Sequence, residues 1–372
     1  FLEQSDFSFR VVMNRLIHII SSKTWGGKER YVLDICRCFR QEGASVSVYT
    51  RDAKVIDNEF SAYGIDLRHA PLEGAYDVVS VGILARDLRR EPAGTVVHVH
   101  RLRDAFLVLM AKMLSRRRDI RVVFTHHTSK AARRQWLAQW VYRRVDAHIF
   151  VSDIARRTFF STIEPSEAKV GEERVSVIHN SIYFDQPSRR EEPQSGPVVA
   201  MFHGRLSPEK GVEVLIDALE SLKGMRTRLW IVGTGDPDYV DALKRRALSR
   251  GVYEMIDWKG HVKDVHELIP LCHFGVLPSM WEEGFGLANI EYMSHGRPQV
   301  CSSNGAQPEY LDNEVDALMV SAGDAEALGE ALVRLAGDKE MRQAMGEHAH
   351  QRFSEALSWD RFAKRLREVY RF

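Results

Sequence analysis

The stretch RLIHIISSKTWGGKERYVLDICRCFRQEGASVSVYTR, residues 15–51, decides the fold. RLIHIIS (15–21) and SVSVYTR (45–51) are short, apolar and β-branched, whereas KERYVLDICRCFRQEG (28–43) between them has a helical period. A strand, a helix and a second strand at this spacing make a right-handed βαβ unit with parallel strands. Where the first strand gives way to the helix stand Gly26 and Gly27, which allow close backbone approach to a ligand beside a helix N-terminus.

The alternation continues outward. TVVHVH (95–100), DAFLVLMAKMLSRR (104–117), RVVFTHH (121–127), AHIFVS (147–152) and VSVIHNS (175–181) extend the first series. DQPSRREEPQSGP (185–197) is polar, has three prolines and lacks an apolar period, so it reads as a linker. A second series follows in VVAMFHG (198–204), GVEVLIDALESL (211–222), RLWIVGTG (228–235), MIDWKG (255–260), FGVLPS (274–279) and PQVCSS (298–303), and the chain is helical in pattern after 325. The expectation is two doubly wound α/β domains, residues 13–186 and 198–356, joined by a linker at 187–197. Ligand sites belong at the carboxyl ends of parallel strands, so the two domains should share one cleft.

Bulk properties narrow the function. The 372 residues are too many for one ordinary core. Lys and Arg total 52 against 51 Asp and Glu, a net charge of +1 that gives no case for nucleic acid. The four cysteines, Cys36, Cys38, Cys272 and Cys301, have neither zinc-ribbon nor redox spacing. No apolar run approaches the ~20 residues that cross a bilayer, and a signal-peptide pattern is lacking, so a cytoplasmic protein is expected. Residues 1–12 precede the first strand-like run and are set aside.

The candidate site residues fall just after strands. HGRLSPEKG (203–211) puts Gly204 at a tight turn and projects Arg205 and Lys210, a setting for phosphate. VGTGDPD (232–238) lacks the third glycine of a dinucleotide loop and carries Asp236, so it reads as a sharp turn bordering the cleft. In PSMWEEGFGLANIEYMSHGRPQV (278–300), Leu287, Ile290 and Met293 share a helical stripe, which places a helix start near Gly286. The N–H groups of Gly286, Leu287 and Ala288 are then available to an anion, with Glu283 beside them and Glu291 about one turn inside. Two carboxylates around an anion site fit a nucleotide sugar; the alternative makes Glu283 a helix cap and Glu291 a solvent-facing acid. His98 and His100 point to one side of their strand, as metal ligands or as polar residues lining the cleft, and the absence of a metal motif favours the latter. SKAARRQWLAQWVYRR (129–144) has five Lys/Arg, no acid and Trp136 and Trp140 on one face. It reads either as a membrane-surface helix or as a helix packed on the core by its tryptophans.

Taken in order, Gly-Gly-x-Glu at 26–29, HVH, THH, VSD (151–153), VIHNS, GRLSPEKG, VGTG, GHVKD (260–264), PSMWEEGFGLANIE, GRPQV (296–300) and GAQPEYL (305–311) resemble the family 4 retaining glycosyltransferases of GT-B fold. The most specific part is the E-x7-E signature from Glu283 to Glu291, which encloses Gly284, Phe285, Gly286 and Leu287. The resemblance implies two Rossmann-like domains, a nucleotide-diphospho-sugar held mainly by the second, and a final helix within 357–372 that crosses back to the first. It assigns Arg205 and Lys210 to the departing diphosphate in place of a metal, Glu283 to the sugar hydroxyls and Glu291 to the ribose. Gly27 and Gly204 match the glycines near the diphosphate, His127 the histidine near the sugar, and Val262 and Lys263 the backbone beside the base; Gly26, Glu29 and His100 fall on the acceptor side. It further implies a UDP- or GDP-hexose donor, a glycan or glycolipid acceptor, retention of anomeric configuration, no metal or other cofactor, and a role in cell-surface polysaccharide or lipopolysaccharide synthesis. A nucleotide-sugar 2-epimerase or a non-catalytic nucleotide-sugar-binding subunit are the alternatives. Asn180-Ser181-Ile182-Tyr183 and EVDAL (314–318) depart from the family's usual Asn-Gly-Ile-Asp and glycine.

Overall fold

A computed structural model describes residues 14–163, 170–184 and 191–372. Among them the first seven strands are β1 (Arg15–Ile20), β2 (Ser45–Thr50), β3 (Asp66–His69), β4 (Val96–Val99), β5 (Arg121–His126), β6 (Ala147–Phe150) and β7 (Val175–Val177). They form one parallel sheet in the order β3-β2-β1-β4-β5-β6-β7. The second sheet takes β8 (Val198–His203), β9 (Thr227–Val232), β10 (Ile256–Gly260), β11 (Phe274–Leu277), β12 (Gln299–Ser302) and β13 (Ala317–Val320) in the order β10-β9-β8-β11-β12-β13, again parallel. Each sheet starts in its middle, builds to one edge, then returns past its first strand to the other. The crevices where direction reverses, β1/β4 and β8/β11, lie at carboxyl strand ends and receive the loops singled out above.

Helices α1 (Gly27–Gln41), α2 (Lys54–Ala62), α3 (Val78–Leu88), α4 (Leu102–Ser115), α5 (Trp136–Arg144) and α6 (Asp153–Phe160) serve the first sheet. Those of the second are α7 (Val212–Ala218), α8 (Pro237–Ser249), α9 (Leu287–Ser294), α10 (Ala325–Gly337) and α11 (Lys339–Ala356), followed by α12 (Trp359–Tyr370). Alternation along β1 sends Ile17 and Ile19 into one apolar layer with Val97, Val99 and α4, and Leu16 and Ile20 into another with α1. The second layer also contains Phe362, Leu366 and Tyr370, so α12 packs on the first sheet.

Three expectations change. The basic run 129–144 is helical only from Trp136, and its buried face is Ala138, Val141 and Tyr142. Trp140 packs against Phe106 and under Arg144, whereas Trp136 is 75 % exposed. Of the linker, residues 185–190 lie outside the described residues. The rest is docked rather than free: Glu192 forms a buried ion pair with Arg342 at 3.0 Å, and the Pro193 carbonyl lies 3.2 Å from His273 Nε2. Finally, α2, β3 and α3 occupy a region, 52–94, to which the sequence reading gave no element.

Candidate active site

The second domain supplies most of the polar groups. Helix α9 starts after Gly286, whose φ of +86° is open to glycine, and no side chain caps it. Its first N–H groups are therefore free to hold an anion. Arg205, one residue beyond Gly204 (φ +150°) at the end of β8, is exposed and without an ion-pair or hydrogen-bond partner among the described residues. Two further glycines fix this loop. A methyl group built on Gly233 would lie 1.9 Å from the Gly204 carbonyl oxygen, and one on Gly235 2.0 Å from that of Leu206. The VGTG turn thus props the Arg205 loop from beneath, while Asp236 caps α8 through the N–H groups of Asp238 and Tyr239.

Neither acid of the signature is a helix cap or a solvated bystander. Glu283 Oε1 accepts from Ser279 Oγ at 2.5 Å and from Lys210 Nζ at 2.5 Å. Its backbone is clamped by the Ala306 N–H at 3.1 Å, with Gly305 so close that a methyl there would lie 2.5 Å from the Glu283 nitrogen. Glu291 is only 13 % exposed and takes a 2.6 Å hydrogen bond from His203 Nε2. His203 Nδ1 lies 2.7 Å from the Tyr292 hydroxyl, which itself donates to the Met201 carbonyl. Burial alone would raise the Glu291 carboxyl, but the His203 bond and the charges of His203, His266 and Arg30 outweigh it and hold it near 2. Val262 is half-buried and Lys263 exposed on the loop after β10.

The first domain closes the other side. Helix α1 also starts without a side-chain cap, after extended Gly26. A methyl on Gly26 would lie 3.8 Å from an Arg205 guanidinium nitrogen, and one on Gly27 3.0 Å from Leu287 Cδ1. Two uncapped helix starts and one free guanidinium therefore converge from opposite domains. Gly284 packs on the backbone of His127: a methyl there would lie 2.4 Å from the His127 carbonyl oxygen.

Some expected contacts are not available. Glu29 is buried, held by Ser22 Oγ at 2.5 Å and Lys28 at 3.0 Å beside the glycine loop. His98 and His100 do share one side of β4, with rings 4.4 Å apart, but they lie inside rather than lining the cleft. His98 is taken by Tyr370 and Thr125 at 2.7 Å each, and His100 by His18 and His127 at 3.1 and 3.0 Å. His18, His98 and His100 bring nitrogen atoms within 4.8 Å of one another; both nitrogens of His98 and of His100 and the Nδ1 of His18 already answer each other or neighbouring groups, and only His18 Nε2 among them is without a partner. Phe285 is likewise a core residue, stacked on Tyr310, with its carbonyl used by the Tyr310 hydroxyl.

Sequence reading missed His203, Ser279, Ser152 and Glu309. His203 was visible beside Gly204, though only its partner Glu291 reveals its use. The Ser152 hydroxyl donates to the Gly284 carbonyl at 2.7 Å, and Glu309 accepts from the N–H groups of Asp153 and Ile154 at 2.7 and 2.6 Å and lies 2.9 Å from His179 Nε2. A carboxylate of one domain thus seats the start of α6 of the other.

Comparison with known proteins adds to this geometry. Residues 25–186 match the family described as Glycosyltransferase Family 4, and residues 185–352 that described as Glycosyl transferases group 1. The chain is similar to the phosphatidyl-myo-inositol mannosyltransferase of Mycobacterium leprae, 30 % identical over 74 % of this chain and 72 % of that one. It is also similar to the glycogen synthase of Mycobacterium tuberculosis, 26 % identical over 88 % and 80 %. Among solved structures, Anabaena HepE in complex with UDP and glucose superposes with a TM-score of 0.81 at 18 % identity, covering 96 % of this chain and 99 % of that one. A glycosyltransferase from Rickettsia africae gives 0.82 at 17 %, over 96 % and 98 %.

Proposed function

The chain belongs to the family 4, group 1 glycosyltransferases, and from that premise we propose that it moves a hexose-type sugar from a UDP- or GDP-sugar to a hydroxyl of a glycan or glycolipid, retaining anomeric configuration. The observation that carries the reading is the convergence of the uncapped starts of α1 and α9 on the free guanidinium of Arg205, with Lys210 on the same loop. A diphosphate is the guest such a cradle suits. As the bond from the anomeric carbon to the diphosphate lengthens, negative charge grows on the leaving oxygen, where these groups are already oriented. The cations stand where other enzymes use a divalent ion, so turnover needs no metal or other cofactor.

Glu283 binds the sugar and Glu291 the ribose. With Oε1 of Glu283 taken by Ser279 and Lys210, Oε2 is left for sugar hydroxyls. With Oε2 of Glu291 taken by His203, Oε1, which His266 Nε2 faces at 3.8 Å, is the oxygen that meets the ribose. The Val262–Lys263 backbone meets the base. The acceptor enters from the first domain, and exposed Trp136 among Arg133, Arg134 and Arg143 rests on anionic lipid at the cytoplasmic membrane face, in keeping with assembly of a cell-surface polysaccharide or lipopolysaccharide. No described helix is long and apolar enough to cross the membrane.

Turnover of radiolabelled nucleotide sugars is the test. Arg205→Ala and Lys210→Ala should each lower kcat at least about hundredfold. Transfer left intact in both would refute the assignment, and donor isomerised without acceptor would indicate an epimerase.

A further inference from the structure

Three imidazoles run in line from beneath the first sheet's carboxyl edge to half-buried His127, whose backbone packs on Gly284. His18 Nδ1 is 3.1 Å from His100 Nε2, and His100 Nδ1 is 3.0 Å from His127 Nε2. Burial drives all three rings well below their ordinary value of 6.5, to about 3 for His18 and His127, so they are neutral at neutral pH. A neutral imidazole has one donating and one accepting nitrogen. Two successive nitrogen-to-nitrogen bonds must therefore run head to tail, and only two arrangements exist.

In the first, every ring carries its proton on Nδ1: His18 donates to His100, His100 donates to His127, and His127 has an N–H left over. In the second, every proton is on Nε2 and the bonds run the other way, leaving an N–H on His18. The buried end decides between them. His18 Nε2 has no hydrogen-bond partner, and His98 cannot supply one because Tyr370 and Thr125 occupy both its nitrogens. A bare lone pair there is the smaller loss, since a buried N–H without an acceptor is the rarer feature of folded proteins.

We propose that His100 and His18 are positioning residues that lock His127 in its Nδ1–H form, so that it presents a hydrogen-bond donor to the sugar or diphosphate oxygen beside it. This rests on the function proposed above and on the resemblance that assigns His127 to the donor sugar. The aligned chain polarises in the same sense, strengthening the terminal N–H as negative charge develops on the ligand.

Full-length protein labelled with heavy nitrogen at histidine tests the proposal, because imidazole nitrogen shifts and their proton couplings report which atom carries the proton. The expected spectrum has His18, His100 and His127 all protonated on Nδ1; His127 protonated on Nε2 overturns the proposal. In turnover, His18→Leu should lower kcat roughly tenfold, the lesser part of the effect of deleting an oriented donor, with the donor KM nearly unchanged. His18→Gln, whose amide can again donate to His100, should restore most of it. Equal losses in both variants with the His127 form unchanged would assign a structural role only and overturn the proposal. If neither variant folds, the wild-type spectrum decides. Failure of nucleotide diphosphates to raise the wild-type melting temperature would count against the function proposed above and would leave the spectra unaffected.

Discussion

Glu291 sits at the meeting point of three elements, with His203 from β8, His266 from the loop after β10, and Arg30 from α1 all contributing to its environment. Burial works to raise its pKa, and the hydrogen bond and charge of His203 outweigh it, so the carboxyl is depressed from 4.5 to about 2. The sign follows: its contribution to stability is complete above 4.5 and is lost as pH falls through 2. The acid is therefore ionised throughout the neutral range, and nucleotide affinity should not titrate through it there. Glu291→Gln keeps the shape and removes the charge, and the nucleoside diphosphate Kd should rise about tenfold by calorimetry, the worth of one charged hydrogen bond. An unchanged Kd would overturn the proposed contact of Glu291 with the ribose. That these two acids flank a helix start at Gly286 was legible from their spacing; that Lys210 and Glu283 share a bond was not, because 73 residues separate them in sequence and only the β8/β11 crevice brings them together.

At the scale of elements, the site stands on two loops that touch backbone to backbone. Gly233 has φ +135°, and any β-carbon would strike the Gly204 carbonyl. Gly233→Ala should cost about 3 kcal/mol of stability, through both the strained φ and the clash, and should lower kcat by moving Arg205. Denaturant melts and donor turnover check both parts. Helices α1 and α9 could be read in the sequence because a clear apolar period follows glycine in each. Helix α3 could not: VVSVGILARDL is β-branched at its start, has Gly82 at its centre, and leaves Val78 and Val79 exposed. The basic run at 129–144 misled in the opposite way, since composition extended a helix that has no cap before Trp136. The exposed ring of Trp136 makes the proposed lipid contact testable: cosedimentation with anionic vesicles should weaken in Trp136→Ala and with added salt, and binding unaffected by both would exclude it.

For the whole molecule, buried histidine sets the acid limit. Burial lowers His18 and His127 to about 3 and His148 to about 4, and takes His98, His100 and His126 well below 6.5. Below 6.5 the unfolded chain takes up protons that the folded rings refuse, so stability falls as pH drops from 6.5 towards 3. Each such ring contributes at most about 1.4 kcal/mol per pH unit in that window. Melting temperatures should therefore decline steeply between pH 6.5 and 5, and His148→Gln should flatten the slope.

The seating of α12 on the first sheet also sets a timetable for synthesis. Phe362, Leu366 and Tyr370 cover the layer that holds Leu16 and Ile20, yet α12 is made after every strand of both sheets. From β7 to α12 the ribosome must add roughly 180 residues, which takes on the order of ten to forty seconds at ordinary elongation rates. For that interval the earliest-made sheet keeps an apolar face without its final cover, and a nascent-chain chaperone has a defined surface and a defined time in which to protect it.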